Sequence, residues 1–114
     1  MDSKISLKIK IRLIGDTAFF GPGVAELLER IQQCGSIAAA CKQMEMSYSK
    51  GRNMINNLEN ELGYKIVTRK QGGSMGGQSE LTETGKLFLS TFRSFEADVT
   101  KYANEQFYKR FDSI

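Results

Sequence analysis

35-GSIAAACKQMEMSYSKGRNMINNLENELG-63 is the stretch on which the fold turns. Gly35 is the residue type that closes a preceding helix, and Ser36 the type that caps the next, because its hydroxyl accepts from the exposed amides at a helix start. The spacing predicts a short second helix over Ile37–Met44, whose run Ala38-Ala39-Ala40 lets another helix approach closely. After a turn of about three residues, Ser47 or Ser49 caps a third helix that runs through Leu62 and is closed by Gly63. Two short helices joined by a tight turn are a helix-turn-helix.

The third helix divides by face. Tyr48, Gly51, Ile55, Leu58 and Leu62 recur at spacings of three and four and form the packing side. Ser49, Lys50, Arg52, Asn53, Asn56, Asn57 and Asn60 occupy the remainder. Asparagine competes with backbone hydrogen bonds and lowers helix propensity, so a face that only had to be wet would carry Glu, Lys or Gln instead. The major groove of B-DNA admits a helix, where Arg reads guanine, Asn reads adenine and Ser reads several positions. Lys50, Arg52, Asn53 and Asn56 are therefore expected to read bases of double-stranded DNA. Glu59 and Glu61 sit at the far end of the helix, away from phosphate, which suits docking by its N-terminal half.

Working outward, Ile5–Ile14 alternates apolar and polar residues over most of its length and predicts a half-buried N-terminal strand. Phe19-Phe20-Gly21-Pro22-Gly23 reads as a breaker cluster, with Pro22 suited to the first turn of a helix. Val24, Leu27, Leu28 and Ile31 then carry that first helix to Cys34. Downstream, Ile66–Lys70 predicts a strand, the glycine-rich Gln71–Gln78 a hairpin tip, and Ser79-Glu80-Leu81 the return strand. This hairpin is a wing, with Lys65, Arg69 and Lys70 placed to meet phosphates.

Thr82 caps a long helix to about Phe111, along which Phe88, Phe92, Phe95, Val99, Tyr102 and Phe107 step by four, three and five, Ala103 filling the last gap. One small domain offers such a stripe little cover, so these six residues are expected to face a second copy in a homodimer. The expected fold is mainly α (α+β): a winged helix-turn-helix with an N-terminal strand, a β-hairpin wing and a long C-terminal dimerisation helix. It is read as a single domain over 1–114, with the helix-turn-helix at about 36–62, the wing at about 64–81 and the dimerisation helix at about 82–111.

Composition sets the bounds. The 114 residues, 40% of them hydrophobic, suffice for one core. The net charge of +3 is concentrated: residues 42–70 hold six Lys/Arg against three Asp/Glu, leaving ten of each elsewhere. The chain has no histidine, which excludes imidazole catalysis and histidine-containing metal sites. Cys34 and Cys41 are seven apart across Gly35 and make no Cys-x-x-Cys pair, so they are expected to pack in a reduced protein. Met44, Met46 and Met54 read as core filler, and Glu26 and Glu29 have no partner suggested by sequence. No catalytic residue, metal or cofactor is expected. Neither a signal peptide nor an apolar run of membrane-spanning length is visible, which predicts a cytoplasmic protein with no membrane partner.

Gly35-Ser36-Ile37-Ala38-Ala39-Ala40, Met46-Ser47-Tyr48-Ser49 and Leu58-Glu59-Asn60-Glu61-Leu62-Gly63 together resemble the helix-turn-helix half of LysR-type and ModE-type bacterial regulators. The ModE side is closer, because Gly72-Gly73-Ser74-Met75-Gly76-Gly77 resembles its glycine-rich wing. Leu81-Thr82-Glu83-Thr84-Gly85 matches the Leu-Thr-x-x-Gly that opens the linker helix in both. The resemblance covers roughly residues 20–95. It implies a winged helix, a dimer formed through first and last helices, operator DNA as partner, and Ser47, Tyr48, Ser49, Arg52 and Asn53 as groove-facing. ModE-type regulators sense molybdate in separate C-terminal domains, so the resemblance implies a molybdenum connection through the regulated genes and names no small-molecule effector for these residues. The expected function is transcriptional regulation. Two alternatives are a protein-interaction adaptor that keeps the fold, and a small oxyanion-binding protein that uses the glycine-rich wing.

Overall fold

Three hydroxyl caps decide where the helices start. Ser36 Oγ accepts from the Ala39 N–H at 3.0 Å, Ser47 Oγ from Lys50 N–H at 3.1 Å, and Thr82 Oγ1 from Gly85 N–H at 2.9 Å. Gly35 and Gly63 take left-handed conformations, φ 74° and 81°, and end the two helices that precede them, as a residue without Cβ does at no steric cost.

A computed structural model describes residues 5–70 and 77–114. In chain order it contains β1 (Leu13–Ile14), β2 (Ala18–Phe20), α1 (Pro22–Cys34), α2 (Ile37–Gln43), α3 (Tyr48–Leu62), β3 (Val67–Arg69), β4 (Ser79–Leu81) and α4 (Glu83–Phe111). Both strand pairs are antiparallel two-stranded ribbons, Leu13 opposite Phe20 and Val67 opposite Leu81. Of the expected hairpin tip, residues 71–76 lie outside the described residues.

One core holds the elements together. Leu27, Leu28 and Ile31 of α1 meet Ile37, Ala40 and Cys41 of α2, Ile55 and Leu58 of α3, and Ile66, Val67 and Leu81 at the base of the wing. Gly51 lets α3 lie against α2, since a Cβ there would run into Cys41 Sγ. Burial pushes the Cys41 thiol up, opposed by a hydrogen bond with the Gly51 backbone, so the thiol stays protonated. The helix-turn-helix bend is tightened by Glu45, a non-glycine residue at φ 55°, and by the Met46 N–H donating to Cys41 O at 3.0 Å. The methionines Met44, Met46 and Met54 pack partly buried against this core.

The structure departs from the sequence reading at the N-terminal strand, at Phe19-Phe20 and at Tyr48, among other positions. The expected strand Ile5–Ile14 is a strand only over Leu13–Ile14, paired with β2, among the described residues: Ile9, Ile11 and Leu13 do turn inward, but Ile5 and Leu7 are exposed. Phe19-Phe20, read as part of a breaker cluster, instead forms β2, and Phe20 becomes a core residue. Its ring meets Phe88 and Phe92 edge-on at 4.9 and 4.7 Å. Tyr48, placed on the packing side of α3, is 53% exposed, because the first turn of the helix projects past the core.

α4 starts on the head and then leaves it. Gly85, Leu89 and Phe92 are buried, and the two Thr82–Gly85 ends of the motif close on the wing base: Thr82 N–H donates to Ile66 O at 2.8 Å and Thr82 Oγ1 to Lys65 O at 2.8 Å. A Cβ on Gly85 would stand 2.5 Å from the Ile66 carbonyl oxygen, which is backbone and has nowhere to go. Helix propensity alone favours alanine over glycine by about 1 kcal/mol. The collision should reverse that sign, and Gly85→Ala is expected to lower stability by about 1–3 kcal/mol in chemical denaturation. An unchanged or raised midpoint would show that the wing base is free to move.

Candidate nucleic-acid interface

α3 offers its polar face to solvent along its whole length. Ser47, Ser49, Lys50, Asn53 and Asn56 are exposed, and the buried line Gly51, Ile55 and Leu58 lies on the opposite side. Ser47 is partly committed, its hydroxyl accepting from Lys50 N–H as the cap. Arg52 is half-buried, on the flank that faces the wing. There Tyr48 and Arg52 share a cleft of about 330 Å³ with Lys65 and Arg69, with the start of α2 at its back. The structure thus brings four of the expected DNA-contacting residues around one concavity, and sets Ser49, Asn53 and Asn56 beside it on the helix crest. Lys70 is exposed at the end of β3, where its N–H donates to Gln78 O at 3.2 Å.

Charge on this face is left uncompensated. Among the described residues, the side chains of Lys50, Arg52, Arg69 and Lys70 have no carboxylate partner, whereas Arg30 pairs with Glu26, Lys86 with Glu83 and Arg93 with both Glu29 and Glu96. Lys65 is the exception, 3.6 Å from Glu59 Oε1 and still largely exposed. Cations without internal partners, arranged around a concave polar surface, attract a polyanion and lose little when it binds.

Glu59 sits at the far end of α3, as the sequence places it, and makes a contact that reading along the chain does not show. Its carboxylate reaches the wing base, where Oε2 accepts from the Ile66 N–H at 2.9 Å and the Val67 N–H at 3.2 Å. It therefore sets where the wing leaves the head. A loop–strand start a few residues after a helix end is the only sequence signal for such a contact. Glu26 and Glu29, without apparent partners in sequence, hold Arg30 and Arg93.

Of the six residues expected at a dimer interface, Phe92 is 3% exposed and Phe88 half-buried, both covered by Phe20 of the same chain. Phe95 and Tyr102 are 52% and 65% exposed. Val99 and Phe107 are half-buried, the latter by ring contacts with Tyr108 and Phe111 on its own helix. Among the described residues no helix is long and apolar enough to cross a membrane.

Glu59→Ala removes the acceptor of two amides and is expected to destabilise by about 1–3 kcal/mol. Hydrogen exchange at the Val67 amide should accelerate selectively, while Glu59→Gln, which keeps an acceptor oxygen, should show the smaller effect. Equal exchange in both variants and wild type would remove Glu59 from the wing anchor.

The chain is similar to known proteins in sequence and in fold. MopB of Rhodobacter capsulatus, a molybdenum-pterin-binding protein, is 33% identical over 75 residues, 66% of this chain and 28% of its own length. The transcriptional regulator ModE of Haemophilus influenzae is 30% identical over 95 residues, 83% of this chain and 36% of its own. The chain thus spans about a third of the length of the curated relatives it matches. In fold, the chain superposes on the CbnR DBD–DNA complex with a TM-score of 0.57 at 21% identity, covering 74% of this chain and 91% of that one. The family model for the bacterial regulatory helix-turn-helix protein of the lysR family matches residues 24–86, from the start of α1 to the start of α4, and the chain belongs to that family.

Proposed function

We propose that the protein is a sequence-specific DNA-binding transcriptional regulator that acts as a homodimer. The observation that carries this reading is the Asn-rich crest of α3 flanked by cations with no internal partner. Arg52, Asn53 and Asn56, with Lys50 and the Ser47–Ser49 turn, read base edges in the major groove, and Lys65, Arg69 and Lys70 bind the backbone. All 114 residues serve as one winged helix-turn-helix domain, and the protein acts by binding rather than by catalysis. A DNA-directed role puts it in the cytoplasm. The molybdenum-related names of its relatives make promoters of molybdenum-handling genes the first DNA to try.

The dimer is supported by α4. At 29 residues it is about 43 Å long, and its buried residues Gly85, Leu89 and Phe92 all lie in its first third. Phe95 and Tyr102, with Val99 between them, leave an apolar stripe on the projecting part that a second copy would cover. A two-fold dimer places its two recognition helices on half-sites about one helical turn of DNA apart or a multiple of it.

Two measurements test the proposal. Arg52→Ala and Asn53→Ala, each shown to fold, should each lose about 1–3 kcal/mol of preference for the selected duplex over a mismatched one. Wild-type affinity in both would overturn the recognition helix, and binding indifferent to salt would favour the protein adaptor. In light scattering the wild type should run at twice 12.8 kDa at micromolar concentration, and Phe95→Glu/Tyr102→Glu at the monomer mass. A monomeric wild type would overturn the dimer.

A further inference from the structure

The extended segment ahead of β1 carries a basic row. Along residues 8–13 the side chains alternate: Ile9, Ile11 and Leu13 are half-buried, and Lys8, Lys10 and Arg12 are exposed on the other side. Lys10 and Arg12 line a groove of about 370 Å³ together with Met54 and Asn57 of α3. No carboxylate lines that groove, and among the described residues neither cation is hydrogen-bonded or ion-paired through its side chain.

The placement relative to α3 matters most. With 3.6 residues per turn, Asn57 lies about 40° to one side of Asn53 and Arg52 about 100° to the other. The arm and the wing therefore stand on opposite flanks of the same polar crest, each bringing cations. The arm is also held in place. Asp16 N–H donates to Glu61 Oε1 at 3.2 Å, tying the β1–β2 turn to the last turn of α3, and Phe20 anchors β2 in the core. Gly21 lets the Arg12 stem lie against the start of α1, since a Cβ there would come within 3.3 Å of Arg12 Cγ.

A helix seated in the major groove, roughly 12 Å wide, has a phosphate strand along each lip. The wing attends to one of them. We propose that Lys10 and Arg12, with Lys8 continuing the row, bind the phosphate backbone along the opposite lip, so that the N-terminal arm is a second, sequence-independent DNA clamp. This inference rests on the DNA-binding reading of α3.

The test uses the full chain and a duplex that the wild type itself selects from a random-sequence library, with binding followed by fluorescence anisotropy over a series of salt concentrations. Each phosphate contact contributes about 0.9 to the slope of log affinity against log salt. Lys10→Gln/Arg12→Gln should flatten that slope by about 1.8, weaken binding about equally on matched and mismatched duplexes, and leave the preferred sequence and thermal midpoint unchanged. Lys10→Arg should keep the wild-type slope. A double variant with wild-type slope and affinity overturns the clamp while leaving α3 as the reader. Loss of binding accompanied by a monomer mass in light scattering would also overturn it and assign the arm to contact between copies. A wild type that selects no sequence sinks the underlying reading, and the clamp with it.

Discussion

The three residues Lys65–Val67 connect the parts of this protein that have to work together. Their amides at Ile66 and Val67 donate to Glu59 of α3, and their carbonyls at Lys65 and Ile66 accept from Thr82, which caps α4. Gly85 is bare because its Cα lies over the Ile66 carbonyl. One short backbone segment thus fixes the recognition helix, the wing and the long helix with respect to one another. Backbone groups in a core have to be paired, and here their partners are the devices that set the geometry.

The junction of α4 with the head shows which forces dominate. Arg93 grips Glu29 of α1 through two nitrogens, at 2.7 and 3.0 Å, and Glu96 of α4 at 2.7 Å. The hydrogen bonds it donates to Glu29, above all, hold the guanidinium charged. All three side chains are about a quarter to a third exposed, so solvent screens the pairs and their contribution is of order 1 kcal/mol or less. Burial of Phe92 against Phe20 contributes several-fold more, about 3–5 kcal/mol when an aromatic core residue is truncated. The ion pairs orient the helix as it leaves the head, and the aromatic cluster keeps it there.

The polar crest of α3 makes sense as a compromise between folding and reading. Four asparagines lower the intrinsic stability of the helix, and the Ser47 cap, the Gly63 terminus and the buried line Gly51, Ile55 and Leu58 restore it from outside the polar face. The crest is thereby released from any packing duty. The wing cations Lys65, Arg69 and Lys70 then stand beside the crest rather than on it, where they can meet phosphates while the helix reads base edges.

Local signals were sufficient for most of the architecture. Ser36, Ser47, Thr82, Gly35 and Gly63 mark helix ends through hydrogen bonds and backbone angles that involve only neighbouring residues, and the three-and-four spacing of Ile55, Leu58 and Leu62 marks a buried face without reference to anything else. The crest Ser49, Lys50, Asn53 and Asn56 was legible for the same reason. What depended on distant partners was not. Phe19-Phe20 beside Gly-Pro-Gly reads as a break, and only the pairing of β2 with β1 and the rings of Phe88 and Phe92 make it a strand in the core. Ile5–Ile14 alternates like a strand over most of its length, yet among the described residues the ladder with β2 takes in Leu13 and Ile14. Phe92 looks like part of an intermolecular stripe until Phe20, far away in sequence, is found covering it. Periodicity shows which residues share a face; only the folded chain decides what that face meets.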